Sequence, residues 1–146
     1  MTRKVKKVIS IVLLLFFAPL FLACSDTEKE PTPYEEVNTL RGVRLSLDKE
    51  IYESEDDRFL LTVHNNSQNE VTYGVAFTVE KLRNGEWYVI EPEEEIAFIM
   101  IAHILDPGEA AEEEISLDYY EPLEPGHYRI VREIEGDVLT AEFQVR

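Results

Sequence analysis

The reactive side chains of this sequence are not arranged for catalysis. The three histidines, His64, His103 and His127, share no ligand spacing with one another or with a cysteine, so the sequence predicts no zinc site. No serine lies in a nucleophile-elbow pattern, and no glycine-rich phosphate loop is present. Carboxylates are abundant enough that chance alone brings some pairs within glycosidase distance. We therefore expect no enzymatic activity and no resident cofactor.

Acidic residues are the first candidates for a binding site. Glu55, Asp56 and Asp57 lie in an acidic stretch, and further acidic runs occupy residues 93–95 and 112–114. If these runs met at one end of the fold, their oxygens would suit Ca²⁺. None of them has the spacing of an EF-hand, so the alternative is a set of solvated surface loops.

Aromatic residues are the second candidates. Trp87 and Tyr88 are adjacent, as are Tyr119 and Tyr120, and together the four could form an exposed platform for a sugar or a peptide. The alternative for Trp87 is packing against a neighbouring strand, because it follows directly on a predicted hairpin turn.

The only cysteine, Cys24, follows a basic and then apolar N-terminus. Residues 1–7 carry four cations and no acid, and residues 8–22 are almost wholly apolar. An apolar run of about 15 residues is short for a membrane span but suits a secretion signal.

The segment resembles a bacterial lipoprotein signal. The resemblance implies a diacylglyceryl group on the sulfur of Cys24, cleavage after Ala23, and a lipid-anchored protein on the extracytoplasmic side of the cell membrane. Phe21 and Leu22 depart from the residues usual before the cysteine, and an uncleaved anchor is the alternative.

The charge of the chain excludes one class of partner. The net charge is −16, and loss of residues 1–23 would remove four cations and no anions, giving −20. Nucleic acids need clustered cations, so we expect no nucleic-acid binding. Direct adhesion to anionic lipid or polymer is also disfavoured unless divalent cations bridge the two surfaces. The plain alternative is that the charge keeps a tethered domain soluble.

Composition predicts three segments along the chain. Residues 1–23 form the signal peptide, residues 24–39 a flexible acidic tether, and residues 40–146 a folded domain. Fully extended, residues 25–39 of the tether would reach on the order of 45 Å at about 3.1 Å per residue.

Alternating apolar residues predict that the domain is built from strands. Asn84-Gly85 predicts a type I′ hairpin that pairs Leu82 with Trp87. In a regular strand Leu82 and Val79 would then point to opposite faces, although both are apolar. This conflict predicts a bulge near Glu80 or a strand that changes sheets. The apolar run 96–105 favours a buried strand over a short helix. Seven or eight short strands with frequent turns indicate an all-β antiparallel sandwich.

The spacing Leu123-x-Pro125-Gly126-x-Tyr128 resembles the tyrosine corner of immunoglobulin-like and fibronectin III-like sandwiches. In such a corner the ring is buried and its hydroxyl bonds the backbone a few residues upstream; the alternative is an ordinary half-buried strand tyrosine. Pro125-Gly126 predicts a type II turn with a positive φ at the glycine. After it, the turn 135–137 predicts a C-terminal hairpin.

Three blocks in this order, at residues 84–88, 105–109 and 123–131, look like the bacterial Ig-like domain of small lipoproteins from Bacillus-type bacteria. The resemblance covers roughly residues 40–146. It implies an exported sandwich and little about activity. The chain lacks the disulfide of antibody domains, and its tryptophan lies outside their usual strand.

The predicted function is a non-catalytic interaction module on the membrane, whose ligand is an unidentified extracytoplasmic protein or envelope glycan. One alternative is a proteinase inhibitor that presents a rigid loop, at residues 91–95 or 119–122. The other is a calcium-dependent envelope module.

Overall fold

The computed structural model describes residues 30–56 and 58–146, so the predicted signal peptide, Cys24 and Asp57 lie outside the described residues. Every element in the described part is a strand. Among these residues no helix is long and apolar enough to cross a membrane. The strands are β1 Val43–Leu47, β2 Ile51–Tyr52, β3 Arg58–Asn65, β4 Val71–Gly74, β5 Thr78–Arg83, β6 Glu86–Ile90, β7 Ala102–Leu105, β8 Ala110–Ser116, β9 Gly126–Ile134 and β10 Asp137–Val145.

The strands form two sheets that pack as a sandwich. One sheet has the order β1-β3-β8, and the other the order β2-β10-β9-β4-β7, with β5 paired to β9 and β6 paired to β5. All pairs are antiparallel except β2 with β10, which is parallel. The predicted all-β sandwich is confirmed. The described strands exceed the predicted seven or eight because β2 has two residues and one predicted strand is divided into β4 and β5.

Period-two patterning produces the core. In β3 every second side chain from Phe59 onward is buried, and the same alternation holds in β10 from Ala141 onward. The ring of Phe143 lies 5.1 Å from that of Phe59 and 5.6 Å from those of Tyr52 and Tyr128, measured between centroids. Aromatic rings at these distances contribute about 0.5–1.5 kcal/mol per pair beyond their buried area.

Both predicted hairpins are present, and the first has the predicted register. Leu82 pairs with Trp87, and Asn84 and Gly85 both have positive φ, at 51° and 86°. The C-terminal hairpin turns at Glu135 and Gly136, whose φ values are 54° and 81°. Two consecutive positive φ values match the right-handed twist of the flanking strands, which explains why short polar turns suffice here.

Leu82 has the opposite parity from Val79 because it lies with Trp87 on the outer face of the sheet, whereas Val79 faces the core. The ladder is continuous through Glu80, so the predicted bulge or change of sheet does not occur there, and the irregularity lies before β5. Tyr73 pairs with Ile134 and Thr78 with Val131, so five residue steps on one strand face three on β9. The backbone between them carries two extra residues, and the carbonyl of Val75 turns inward to accept a hydrogen bond from Arg132 at 3.0 Å. An even number of extra residues keeps the alternation in phase, so Tyr73 and Val79 both face the core on either side of the break.

The apolar run 96–105 is not one buried strand. Only Ala102–Leu105 is extended in a ladder, and of these four residues only Leu105 is buried. Residues 93–95 before the run are exposed as well, so apolar composition alone does not place this segment inside.

Tyr128 has the geometry of a tyrosine corner. Its ring is 1% exposed, and its hydroxyl donates a 2.7 Å hydrogen bond to the carbonyl of Glu124. The predicted type II turn is wrong, because Gly126 does not have a positive φ. A Cβ at Gly126 would instead stand 2.9 Å from Cε of Lys81, which lies over the Tyr128 ring. The glycine begins β9 beside the flexible end of the Lys81 side chain and forms no turn.

Replacing Tyr128 by phenylalanine tests the corner. We expect the free energy of unfolding to fall by about 1–2 kcal/mol, because the carbonyl of Glu124 loses its donor while the ring packing stays. Chemical denaturation of the variant, with Tyr88→Phe as the surface control, measures this. Equal stability of the two variants would show that the hydroxyl does not hold the loop before β9.

Residues 30–39 of the predicted flexible tether are ordered. Backbone hydrogen bonds join Thr32 to Trp87, Glu30 to Val89 and Asn38 to Val138, at 2.7–2.9 Å. Pro31 forms a bridge with Tyr88, so residues 30–32 run beside the edge of β6. The prediction of a disordered stretch to residue 39 is wrong for residues 30–39, because polar groups there bond the sheet instead of water.

The docked segment covers a buried ion pair on the outer face of the larger sheet. Arg129 and Glu80 are 4% and 0% exposed, with a shortest N–O distance of 2.6 Å. The hydroxyl of Thr32 donates to Glu80 at 2.7 Å, and the Trp87 ring lies 4.4 Å from the Arg129 guanidinium. At the other end of the segment, the side chain of Asn38 bonds Thr140. We name residues 30–39 the N-terminal strap.

Candidate interaction site

The largest exposed apolar side chains cluster next to β7. Ile99, Met100, Ile101 and Ile104 expose 65%, 101%, 46% and 63% of their surface. We name these four residues the apolar edge. Scattered exposed apolar residues are normal on a protein surface, but a contiguous group is typical of a contact site.

Local packing fixes the loop that carries the apolar edge. Phe98 packs edge-on against Phe77 at 5.4 Å between ring centroids, which anchors the loop on the core. The amide of Ile101 donates to the carbonyl of Ile99 at 3.0 Å, so the chain turns tightly with Met100 at its apex. The methionine is thus presented to solvent by an ordered turn.

Strand β7 is held firmly on one side and uncovered on the other. The side-chain amide of Asn65, which is fully buried, donates to the carbonyl of Leu105 at 2.9 Å. The His103 ring stacks on Tyr73 at 5.3 Å. Within the described residues β7 pairs with β4 alone, so its other edge presents unpaired backbone groups.

A groove adjoins the apolar edge. It has a volume of about 330 Å³ and lies between residues 96–99 on one side and residues 113–116 of β8 on the other, with Tyr119 at its rim. Phe77 and Ile115 form part of its apolar lining. The groove can receive an apolar side chain from outside the domain.

The surroundings of the apolar edge are strongly acidic. Residues 91–121 contain eleven Asp and Glu and no Lys or Arg. Glu113 pairs with Arg132, and Glu114 pairs with Arg58. The exposed residues 93–95 stand directly before the groove, where the amide of Glu93 bonds the carbonyl of Tyr119 at 2.8 Å.

The structure does not bring the four predicted aromatic residues together as a platform. Trp87 packs on Arg129 at the outer face of the larger sheet, and Tyr88 donates a hydrogen bond to Glu86 that raises its pKa. Tyr120 is buried, and that burial, together with the charge of Glu91, raises its pKa to about 12. Of the four, Tyr119 alone lies beside the groove.

The calcium candidates lie elsewhere on the surface. Glu55 and Asp56 line a shallow pocket of about 350 Å³ with Tyr120, and Asp56 accepts a hydrogen bond from the amide of Glu53. Asp57 lies outside the described residues. In residues 30–56 and 58–146 no group of three potential ligands is close enough to hold a metal ion. The run 112–114 belongs to β8 and not to a loop.

Sequence reasoning missed the apolar edge. Residues 99–104 are visibly apolar in the sequence, but an apolar run predicts a buried strand and not an exposed contact site. The acidic residues before and after the run were the available hint, because a strand buried on both faces is rarely bordered so closely by charge. The inhibitor interpretation also named other loops, at 91–95 and 119–122, whereas the exposed apolar tip is at 99–101.

One family model matches the chain: a bacterial Ig-like domain, over residues 39–144. No curated protein matches the chain.

Similar solved structures are distant. They include a β-glucosidase from Erythrobacter marinus, with 16% identity over 70% of this chain and 15% of that one, at a TM-score of 0.42. The periplasmic stator protein FlaG of the Sulfolobus acidocaldarius archaellum has 16% identity over 70% of this chain and 98% of that one, at a TM-score of 0.41. The alkylpurine DNA glycosylase AlkC of Pseudomonas fluorescens has 14% identity and a TM-score of 0.41, and the match covers 72% of this chain and 30% of that one. The chain therefore spans less than a third of the β-glucosidase and of the glycosylase.

Proposed function

This chain belongs to the bacterial Ig-like domain family, and on that basis we propose that it is an extracytoplasmic interaction module held on the cell membrane by a lipid on Cys24. Its origin among the small lipoproteins of Bacillus-type bacteria stays a prediction. The module binds another envelope component and does no chemistry of its own.

The apolar edge is the observation that carries the proposed role. Met100 is completely exposed at the apex of a turn fixed by an internal hydrogen bond, between Ile99 and Ile101. Exposing such side chains in water is unfavourable by about 25 cal/mol per Å² of apolar surface relative to burying them. Covering them with a partner regains that free energy, which makes this surface the favoured place of contact.

The N-terminal strap limits how far the domain can move from its anchor. Because the chain is bonded to the sheet from Glu30 onward, six residue steps separate the domain from Cys24. At about 3.3–3.6 Å per residue these steps span at most about 20 Å. A lipid on Cys24 would hold the sandwich close to the bilayer, so we expect its partner to be a membrane-bound or membrane-proximal component.

In-cell photo-cross-linking tests both parts of the proposal. A photoreactive amino acid at position 100 is introduced into the full chain, with Cys24 intact or replaced by alanine. We expect the intact chain in the membrane fraction with a discrete cross-linked product. The Cys24→Ala chain should be absent from the membrane fraction and should give no such product. Two acyl chains provide stable anchoring, and this variant has no sulfur to carry them.

A photoreactive residue at position 86, exposed at the start of β6, is the matched control. Products at position 86 but not at 100 would keep the interaction role and reject the apolar edge. Equal membrane recovery of the intact chain and the Cys24→Ala chain would contradict lipid anchoring. No product at either position would contradict the interaction role itself.

A proteinase inhibitor is the second candidate function, and the same loop favours it. An exposed Met100 on an ordered turn has the form of a side chain offered to an apolar specificity pocket. The tight turn from Ile99 to Ile101 argues against it, because a loop bound in a proteinase cleft is usually extended. Stoichiometric inhibition of a serine proteinase that Met100→Asp abolishes would favour this candidate over the first.

A further inference from the structure

Resting on the proposed interaction role, we propose that the apolar edge binds an extended segment of a partner protein in which apolar side chains alternate with Lys or Arg, and that this segment adds to the free edge of β7. The proposal names the chemistry of the partner, which the proposed function leaves open.

The free edge of β7 carries the first step of the inference. Residues 102–105 are paired on one side by β4, and within the described residues no strand covers the other side. Unpaired N–H and C=O groups on a strand edge are a template for another strand. An extended segment that pairs there gains backbone hydrogen bonds and places alternate side chains on each face.

The position of the apolar side chains carries the second step. Ile104 projects from β7 itself, and residues 99–101 immediately precede the strand. A segment lying along β7 would cover these side chains with every second residue of its own. The groove between residues 96–99 and β8 is near enough in the chain to receive a further apolar side chain.

Charge selects among the possible occupants. With eleven carboxylates and no Lys or Arg in residues 91–121, the frame around the apolar edge attracts cations. A second copy of this chain would bring the same acidic frame into contact, and like charges there oppose association. An anionic bilayer is disfavoured for the same reason. In a segment with interleaved Lys or Arg, the apolar side chains would cover the apolar edge and the cations would pair with the surrounding carboxylates.

Synthetic twelve-residue peptides provide the test. One alternates Ile with Lys, a second Ile with Glu, and a third Ile with Ser, and each is titrated onto the full chain in nanodiscs of neutral lipid. We expect the Lys peptide to bind at least tenfold more tightly than either other peptide and to weaken at high salt. N-methylation along one backbone edge of the Lys peptide should abolish binding, because it removes the strand hydrogen bonds.

Variants at the surface locate the contact. Met100→Asp and Ile104→Asp should each weaken the Lys peptide at least tenfold without lowering the melting temperature, since both side chains are exposed. Ile51→Asp is the matched control, because Ile51 is an exposed isoleucine on a different strand, and binding should be unchanged.

Several results would overturn the proposal. The first two are equal binding of the three peptides, and binding of the Lys peptide that Met100→Asp does not weaken. The others would identify a different occupant: self-association of the chain, binding to anionic vesicles, or inhibition of a proteinase, each abolished by Met100→Asp. If no peptide binds but position 100 still cross-links to a protein in cells, the proposed partner chemistry is wrong and the interaction role stands. If no peptide binds and position 100 gives no cross-linked product, the interaction role is contradicted as well.

Discussion

Replacing Glu113 by glutamine should lower the free energy of unfolding by about 3 kcal/mol, a large share of the stability of a domain this size. Glu113 on β8 pairs with Arg132 on β9, so the ion pair joins the two sheets. The Arg132 side chain is completely buried, and its Nε has no hydrogen-bond partner. Without the carboxylate, the buried guanidinium keeps its charge among neutral groups, which are the new amide, the carbonyl of Val75 and the Tyr73 ring.

The neighbouring residue supplies the control. Glu114 pairs with Arg58, but both side chains are more than half exposed, so Glu114→Gln should change stability by less than about 0.5–1 kcal/mol. Urea denaturation of both variants gives the comparison. The double variant Glu113→Leu with Arg132→Met should recover most of the loss, because a buried ion pair can be replaced by apolar groups. Equal losses at 113 and 114 would show that burial does not distinguish the two pairs.

A chain that begins at Leu40 should be less stable by about 3 kcal/mol or more than one that begins at Glu30. Removing residues 30–39 deletes the backbone bonds to β6 and β10, each worth about 1 kcal/mol. It also takes the hydroxyl of Thr32 from Glu80 and opens the Arg129–Glu80 pair to water. Urea denaturation of the two chains measures the difference.

A point variant separates the loss of the hydroxyl from the loss of the segment. Thr32→Val keeps the shape of the side chain and should cost about 1 kcal/mol, because Glu80 is completely buried and loses a donor. A chain beginning at Leu40 that matched the longer chain in stability would mean that the N-terminal strap contributes nothing to folding, and the limit of about 20 Å on the anchor would no longer hold.

Local patterns were enough to predict most of the fold. The hairpins that turn at 84–85 and at 135–137 were predicted from their turn residues, and the register of the first was predicted correctly, because two residues with positive φ leave the flanking strands one pairing. The buried ring of Tyr128 also followed from local spacing. These features depend on residues close in sequence, so a short window of residues specifies them.

The errors arose where a distant residue decides the local structure. Gly126 lies in a strand beside Lys81 and not in the turn that Pro125-Gly126 predicts, and the carbonyl of Val75 at the backbone break bonds Arg132. The acidic, proline-containing N-terminal strap has the composition of a disordered tether, but it orders because Glu80 and Trp87 lie in its path. No window of neighbouring residues contains that information.

Alternation of apolar residues and the types of the turn residues suffice to specify a β-sandwich, since the two-residue period and the turns act locally. Which apolar residues stay outside depends instead on how the two sheets assemble. Ile99, Met100 and Ile104 have the same composition as core residues, but the sheet ends at β7, and no strand among the described residues covers them. Burial depends on what packs against a side chain, and that is a property of the assembled sheets.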